Sequence, residues 1–432
     1  MEIVEQKEKF TQSLTFKAMI VIVLTLLLLI PKAMIQGLIS ERQDQSYTAI
    51  SSINDKWSLA QTLCTPVLVI PYTTTVAEKD KETVYQEHEL YITPENTKID
   101  VRLFPEERHL SIYKSIVYKS DMHIDGSFPA VQSLQIENSV LHFKKARIVL
   151  WISDLRGISE EIDFKINGKK YPAEAETSPF FNQTSMSMDL KEMAPENLSN
   201  GFAFDCTLKL KGSESISFIP IAKNTKVNVS GDWTAPGFFG NFLPEYTVND
   251  KNFTASWTIL SFNRSIPERW TDDRITTLHE NSFGVNLIDS VDHYQQNMRS
   301  AKYALMFIGL TFVVFFFVEA LTKKRIHPIQ YLLVGIALIL FYSLLLSISE
   351  QIGFCWAYGI ASIATISLIT FYAHSIFKDK KPTTILGFIL TLLYIFLFVV
   401  LQLEDMALLI GSLGLFLILG IIMFVSRKIK WY

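Results

Sequence analysis

Between Ala301 and Tyr432 the chain is a series of five apolar segments, and the short breaks between them alternate in charge. Lys323-Lys324-Arg325, Lys378-Asp379-Lys380-Lys381 and Arg427-Lys428-Ile429-Lys430 are basic. Ser349-Glu350-Gln351 and Gln402-Leu403-Glu404-Asp405 hold no Lys or Arg. Basic residues in short loops resist translocation and mark the cytoplasmic side. The alternation therefore predicts a topology as well as a class, a polytopic membrane protein.

The segments 301–321, 329–348, 354–377, 383–401 and 406–426 are each long enough to cross the hydrocarbon as a helix. A further apolar segment covers 16–39, preceded by Lys7, Lys9 and Lys17. Its charge-free core, Ala18 to Ile30, is short enough to raise a cleaved signal peptide as the competing reading. The residues after Ile30, Pro-Lys-Ala-Met-Ile-Gln-Gly-Leu-Ile, offer no small-x-small cleavage site, and they favour an uncleaved anchor. Six spans place both termini on one side, and the basic flanks make that side the cytoplasm. The predicted organisation is a cytoplasmic N-terminus (1–15), a first helix (16–39), a periplasmic domain (40–298) and a bundle of five helices (299–432).

The mean hydropathy of +0.23 conceals two populations. From Ser40 to Arg299 there are 26 Lys and Arg against 35 Asp and Glu, a balance of −9. That acidic balance lacks the basic footprint of a nucleic-acid partner. Of three cysteines, Cys355 falls in an apolar segment. Cys64 and Cys206 lie in the hydrophilic region, either as separate buried thiols or as a disulfide in an oxidising compartment.

After the anchor, Ile50, Ile53, Trp57 and Ala60 recur at helical spacing and predict a stalk over 41–60. Beyond Pro66 the texture is that of strands. Val67 to Ile70, Val84 to Ile92, an alternating run from Leu110 to Tyr118, and Leu141 to Ile152 all read this way. Asn167-Gly168 signals a hairpin. Lys211-Gly212-Ser213-Glu214 reads as the turn of a second hairpin, and Val227, Val229 and Phe253 to Phe262 close the series. The region is long enough for one large or two small β-units, and Thr177 to Asn200 reads as its least structured part and as the candidate boundary if there are two. The fold class expected is α+β: six transmembrane helices, one N-terminal and five C-terminal, with a large all-β domain inserted after the first.

No nucleophile elbow, zinc-protease helix, phosphate loop or metal-spaced cysteine pair is present. The chain therefore reads as non-enzymatic, with no cofactor and no metal. Two segments stand out for residue choice. Ser153-Asp154-Leu155-Arg156-Gly157 can form a turn with an ion pair across it, structural by default and a ligand contact otherwise. The segment 231–244 sets Trp233, Phe238, Phe239 and Phe242 among Gly and Pro. Such rings either pack into the core or serve as partner-binding anchors. In the spans, Glu319 is the costly residue, with Lys323 four positions on as an available partner. His374 sits near the cytoplasmic end of its segment. Both are candidate polar residues of structural or functional weight.

Several runs resemble a known family. Ala301-Lys302-Tyr303-Ala304, Phe315-Phe316-Phe317-Val318-Glu319 and Arg325-Ile326-His327-Pro328-Ile329-Gln330-Tyr331-Leu332-Leu333-Val334-Gly335 are similar to the CreD inner-membrane proteins, also called cell envelope integrity proteins. So are Asp154 to Ile158, Gly240 to Pro244, Leu28-Leu29-Ile30-Pro31 and the terminal Trp431-Tyr432. The resemblance implies a multi-pass protein of the Gram-negative inner membrane, expressed under a two-component system. It also implies that altered levels change colicin tolerance, envelope integrity and β-lactam response. It supplies no catalytic residues. The partners expected are the bilayer and a periplasmic protein or lipid, with a homo-oligomer compatible. The alternative reading is a transporter or lipid exporter with a cavity among the helices.

Overall fold

The computed structural model describes residues 14–76, 84–131, 139–178, 183–193, 198, 200–271, 278–287, 292–322, 326–403 and 406–427. It forms two compact units, Met1–Tyr47 with Val291–Tyr432, and Thr48–Ser290.

The first unit is helical. Its elements are α1 (Leu14–Leu27), α2 (Leu29–Trp57, whose last turns belong to the other unit), α3 (His293–Lys302) and α4 (Ala304–Thr322). They continue with α5 (Pro328–Ile352), α6 (Phe354–Phe377), α7 (Lys380–Gln402) and α8 (Ala407–Ser426). Four stretches are long and apolar enough to span: Lys17–Trp57, α5, α6 and α7. A fifth arises if α3 and Ala304–Ala320, bent by 44°, count as one. Leu409–Phe424 is a shorter apolar helix. Six spans were expected, and the described helices give four to five by length and composition. Leu28, Phe312, Phe315, Tyr331, Leu338, Ile369, Phe377 and Leu390 form one buried cluster. Gly335 permits the close approach there: a Cβ on it would lie 2.2 Å from Leu28 Cδ1.

The second unit is a two-sheet sandwich. Its strands are β1 (Gln61–Val76), β2 (Val84–Ile92), β3 (Asn96–Leu110), β4 (Tyr113–Phe128), β5 (Ser139–Leu141) and β6 (Arg147–Ile152). Next come β7 (Asp163–Ile166), β8 (Lys169–Tyr171), β9 (Glu174–Ser178), β10 (Gln183–Asp189), β11 (Phe202–Ser213) and β12 (Ser215–Ile219). The last six are β13 (Asn224–Gly231), β14 (Gly237–Gly240), β15 (Glu245–Val248), β16 (Phe253–Leu260), β17 (Arg269–Thr271) and β18 (Phe283–Asn286). One sheet runs β14-β18-β12-β1-β6-β10-β9, with β2 and β5 on β1 and β17 on β2. The other runs β15-β16-β13-β3-β4-β11-β7-β8.

Period-two patterning explains the core. In β3, Ile99, Val101 and Leu103 turn inward while Lys98 and Arg102 face out. They meet Leu68, Ile148 and Phe283 of the other sheet in a single cluster. A second cluster covers the far face of β1, joining Val67, Val69 and Trp151 to Ile266, Trp270 and Leu278. Val67 to Ile70 is continuously apolar because that strand is buried on both faces.

Asn167 and Gly168 have φ of 49° and 84°, and they turn β7 into β8 as expected. Three readings differ. Leu110 to Tyr118 is two strands, because Ser111, at φ 58°, reverses the chain between β3 and β4. Lys211 to Glu214 is no hairpin turn: β11 pairs with β4 and β7, whereas β12 pairs with β1 and β18. Glu214, at φ 61°, sends the chain from one sheet to the other. The described residues of Thr177 to Asn200 hold the end of β9 and all of β10, and Met186, Met188 and Leu198 belong to the common core rather than marking a boundary; 179–182, 194–197 and 199 lie outside the described residues.

Candidate functional site

Glu319 is 6% exposed, in the last turns of α4. Its carboxylate accepts from Lys17 Nζ of α1, from the Ile326 backbone N–H at 3.1 Å and from the Tyr331 hydroxyl at 2.9 Å. Lys323, the partner suggested by spacing, lies outside the described residues. The run from Ile326 to Gly335 builds the receiving side. His327 caps α5, with Gln330 completing a capping box, and Pro328 fills the first helical position, where no N–H is needed. This start of α5 aims Tyr331 at Glu319, and Gly335 one turn later seats Leu28.

Asp154 is equally occupied. It caps the 3-10 turn Leu155–Gly157 through the Arg156 N–H. Its Oδ1 also accepts from Arg156 Nε at 2.9 Å, and its Oδ2 from Ser58 Oγ and Leu59 N, both at 3.0 Å. Gln61 Nε2 donates to the Asp154 carbonyl, to Ser58 Oγ and to the Lys211 carbonyl. Burial opposes the charge on Asp154, but the hydrogen bonds from Arg156, Leu59 and Ser58 outweigh it and hold the carboxyl at about 2. Gly157 is required by crowding: a Cβ there would lie 2.4 Å from the Lys211 carbonyl oxygen. The end of α2 docks beside this knot. Asn54 bonds Glu214 and Ser115, and Trp57 lies under the cations of Arg108 and Lys211. The arrangement locks the stalk to the sandwich and leaves no group of Asp154 free for a ligand.

The aromatic segment is more ordered than a loop. Between β13 and β15 it crosses to the other sheet, where β14 pairs with β18. Trp233, Phe238 and Phe242 pack against the core. Phe238 lies tilted against Tyr246 and edge-on to Phe253 and Trp257, and the Phe242 carbonyl accepts from Trp257 Nε1 at 3.0 Å. Phe239 is 36% exposed. The β unit also leaves exposed apolar side chains that sequence reading passed over: Leu243 at 81% and Tyr246 at 61%, in and just after this segment, and Phe262 at 96%, beyond the end of β16. Their signal was weak, because isolated apolar residues at strand ends are ordinary.

His374 is exposed one turn from the end of α6, in a groove shared with α7. Sequence reading also underrated the bundle interior. Tyr342, Tyr358 and Tyr394 are buried there, with the Tyr358 hydroxyl donating to the Tyr394 carbonyl at 2.8 Å. Cys64 and Cys206 are free and buried, in separate clusters. Burial pushes the Cys206 thiol up to about 12. Among the described residues, no three His, Cys, Asp or Glu side chains are grouped to hold a metal.

The family model for "Inner membrane protein CreD" matches residues 13–432. The chain is also 33% identical over 415 residues to Inner membrane protein CreD of Escherichia coli (strain K12), covering 94% of this chain and 91% of that protein. With a β sandwich between an N-terminal apolar helix and a C-terminal helical group, the chain belongs to the CreD family of multi-pass inner-membrane proteins.

Proposed function

We propose that the protein is a non-enzymatic component of cell envelope integrity, whose β unit recognises a periplasmic protein or lipid. In this reading the chain crosses the inner membrane six times, with both termini in the cytoplasm and the β unit outside. The observation that supports recognition is the exposure of Phe239, Leu243 and Tyr246, in and beside the 231–244 segment, and of Phe262 after β16. Large apolar side chains left exposed on a water-facing unit are costly, and they commonly mark interaction sites. Trp233, Phe238 and Phe242 serve beneath them as the packed base that fixes the surface. The test is complementation with L243S/F262S. Both positions are solvent-facing, so the fold should hold while the envelope-stress phenotype is lost at unchanged protein level. Full complementation would remove the reading.

A second reading, a transporter or exporter working among the helices, is favoured by the buried Glu319–Lys17–Tyr331 network. A carboxylate at such a position is a functional hypothesis by default. E319Q at normal protein level separates the two: loss of phenotype supports transport, and retained phenotype assigns the network to assembly.

A further inference from the structure

The outward faces of α6 and α7 are apolar for the most part, with Ile360, Ile363, Leu368, Ile385, Leu392 and Ile395 all exposed. A groove of about 670 Å³ between the two helices breaks that pattern. Ser367, Phe371 and His374 line it from α6. Thr384, Phe388 and Thr391 line it from α7 at the same i, i+4, i+7 spacing, and Thr370 and Thr383 add a further polar group from each helix. Phe371 and Phe388 form apolar rims, both largely exposed. On the floor, Thr370 Oγ1 is buried without a hydrogen-bond partner, 3.1 Å from the point a Cβ on Gly387 would occupy. A buried hydroxyl without a partner is a cost that a polar ligand atom reaching it would relieve.

One end of the groove is basic. The α6–α7 turn carries Lys378, Lys380 and Lys381, all exposed, against the single acid Asp379. That acid is engaged, capping α7 through the Lys381 N–H at 3.2 Å. His374 lies one helical turn before Lys378, and Thr384 one turn after Lys380.

We propose that this groove is a binding site for an anionic phospholipid, with its phosphate at the basic end and an acyl chain between Phe371 and Phe388. The lysines supply charge complementarity, and Thr384, His374 and Thr370 supply polar contacts at the level of the headgroup and below. Basic pockets between membrane helices select anionic headgroups for this reason. A zwitterionic lipid with the same chains fills the groove equally but gains nothing net from the lysines. The site is independent of anything the β unit binds.

The test is native mass spectrometry of the full chain, with phosphatidylglycerol and phosphatidylcholine of identical chains in separate samples. Each lysine near an anionic headgroup is worth about fivefold in affinity. Phosphatidylglycerol should be retained preferentially, and K380Q/K381Q should remove the preference. G387L pushes a side chain against Thr370 and should lower phosphatidylglycerol retention with every charge intact. H374L is a second groove variant on an exposed position, should G387L fail to give monodisperse protein. K302Q, in α3, should change nothing. Equal retention of the two lipids overturns the proposal, as does an equal loss in K302Q. Displacement of the lipid by glycerol 3-phosphate alone also overturns it, because a headgroup site without the groove would then suffice.

Discussion

Lys17 and Glu319 form an ion pair across 302 residues of sequence, joining α1 to the end of α4. The carboxylate is buried, whereas the lysine side chain keeps 27% of its surface exposed. The two halves of the pair thus have unequal costs when broken. Removing the lysine strands a buried charge; removing the carboxylate leaves an ammonium that can reach water.

K17M should therefore lower the melting temperature of the detergent-purified protein more than E319Q does. The expected loss for K17M is about 1–3 kcal/mol, less than for a fully buried pair because Lys17 is partly solvated. The double variant K17M/E319Q should recover part of that loss, since no uncompensated charge remains. Equal effects of the two single variants, with no recovery in the double, would show that the pair is not coupled.

The Asp154 knot gives a pH signature. Its folded carboxyl sits at about 2, below the ordinary value of 3.8. A depressed carboxylate contributes stability that is complete above the unfolded value and is lost as pH falls toward the folded one. The wild-type β unit should lose about 2 kcal/mol between about pH 5 and pH 2 from this group. D154N should be less stable at neutral pH and lack that component. Chemical unfolding followed by fluorescence of the buried Trp151 and Trp257 reads both. G157A should be destabilised at every pH, because its Cβ meets a backbone carbonyl that cannot step aside.

Topology is open to single-cysteine labelling from outside intact cells. The background needs only C355S, because Cys64 and Cys206 are buried and Cys355 is exposed. A cysteine at Lys170, exposed in β8 beside the β7–β8 turn, should react, and one at Lys380 should not. Labelling at Lys380 would overturn the proposed orientation.

How far the sequence speaks differs between elements for physical reasons. The Asn167-Gly168 turn was legible because its left-handed backbone demands those residue types. The stalk was legible from helical periodicity, and β2 from its mixture of aromatic and polar residues. The Glu214 switch was not, since a turn joining two sheets carries the same residues as one joining two strands of a hairpin. The same holds for the site residues. The Asp154–Arg156 ion pair is local and could be anticipated, whereas its partners Ser58, Leu59 and Gln61 come from more than ninety positions away. Glu319 showed the same limit: local spacing pointed to Lys323, while Lys17 and Tyr331 come together only through packing. In the 231–244 segment, composition identified the rings but gave no means of separating Phe239, at the surface, from Phe238, packed on Trp257.

The most direct measurement is photocrosslinking in living cells from a photoreactive residue at Leu243, the most exposed large apolar residue of the 231–244 segment. Recognition by the β unit predicts a discrete protein adduct or a lipid adduct at that position. It also predicts a weaker yield from the same residue placed at Lys226, on the outward face of β13. Crosslinks confined to the chain itself, or equal yields from both positions, would contradict it.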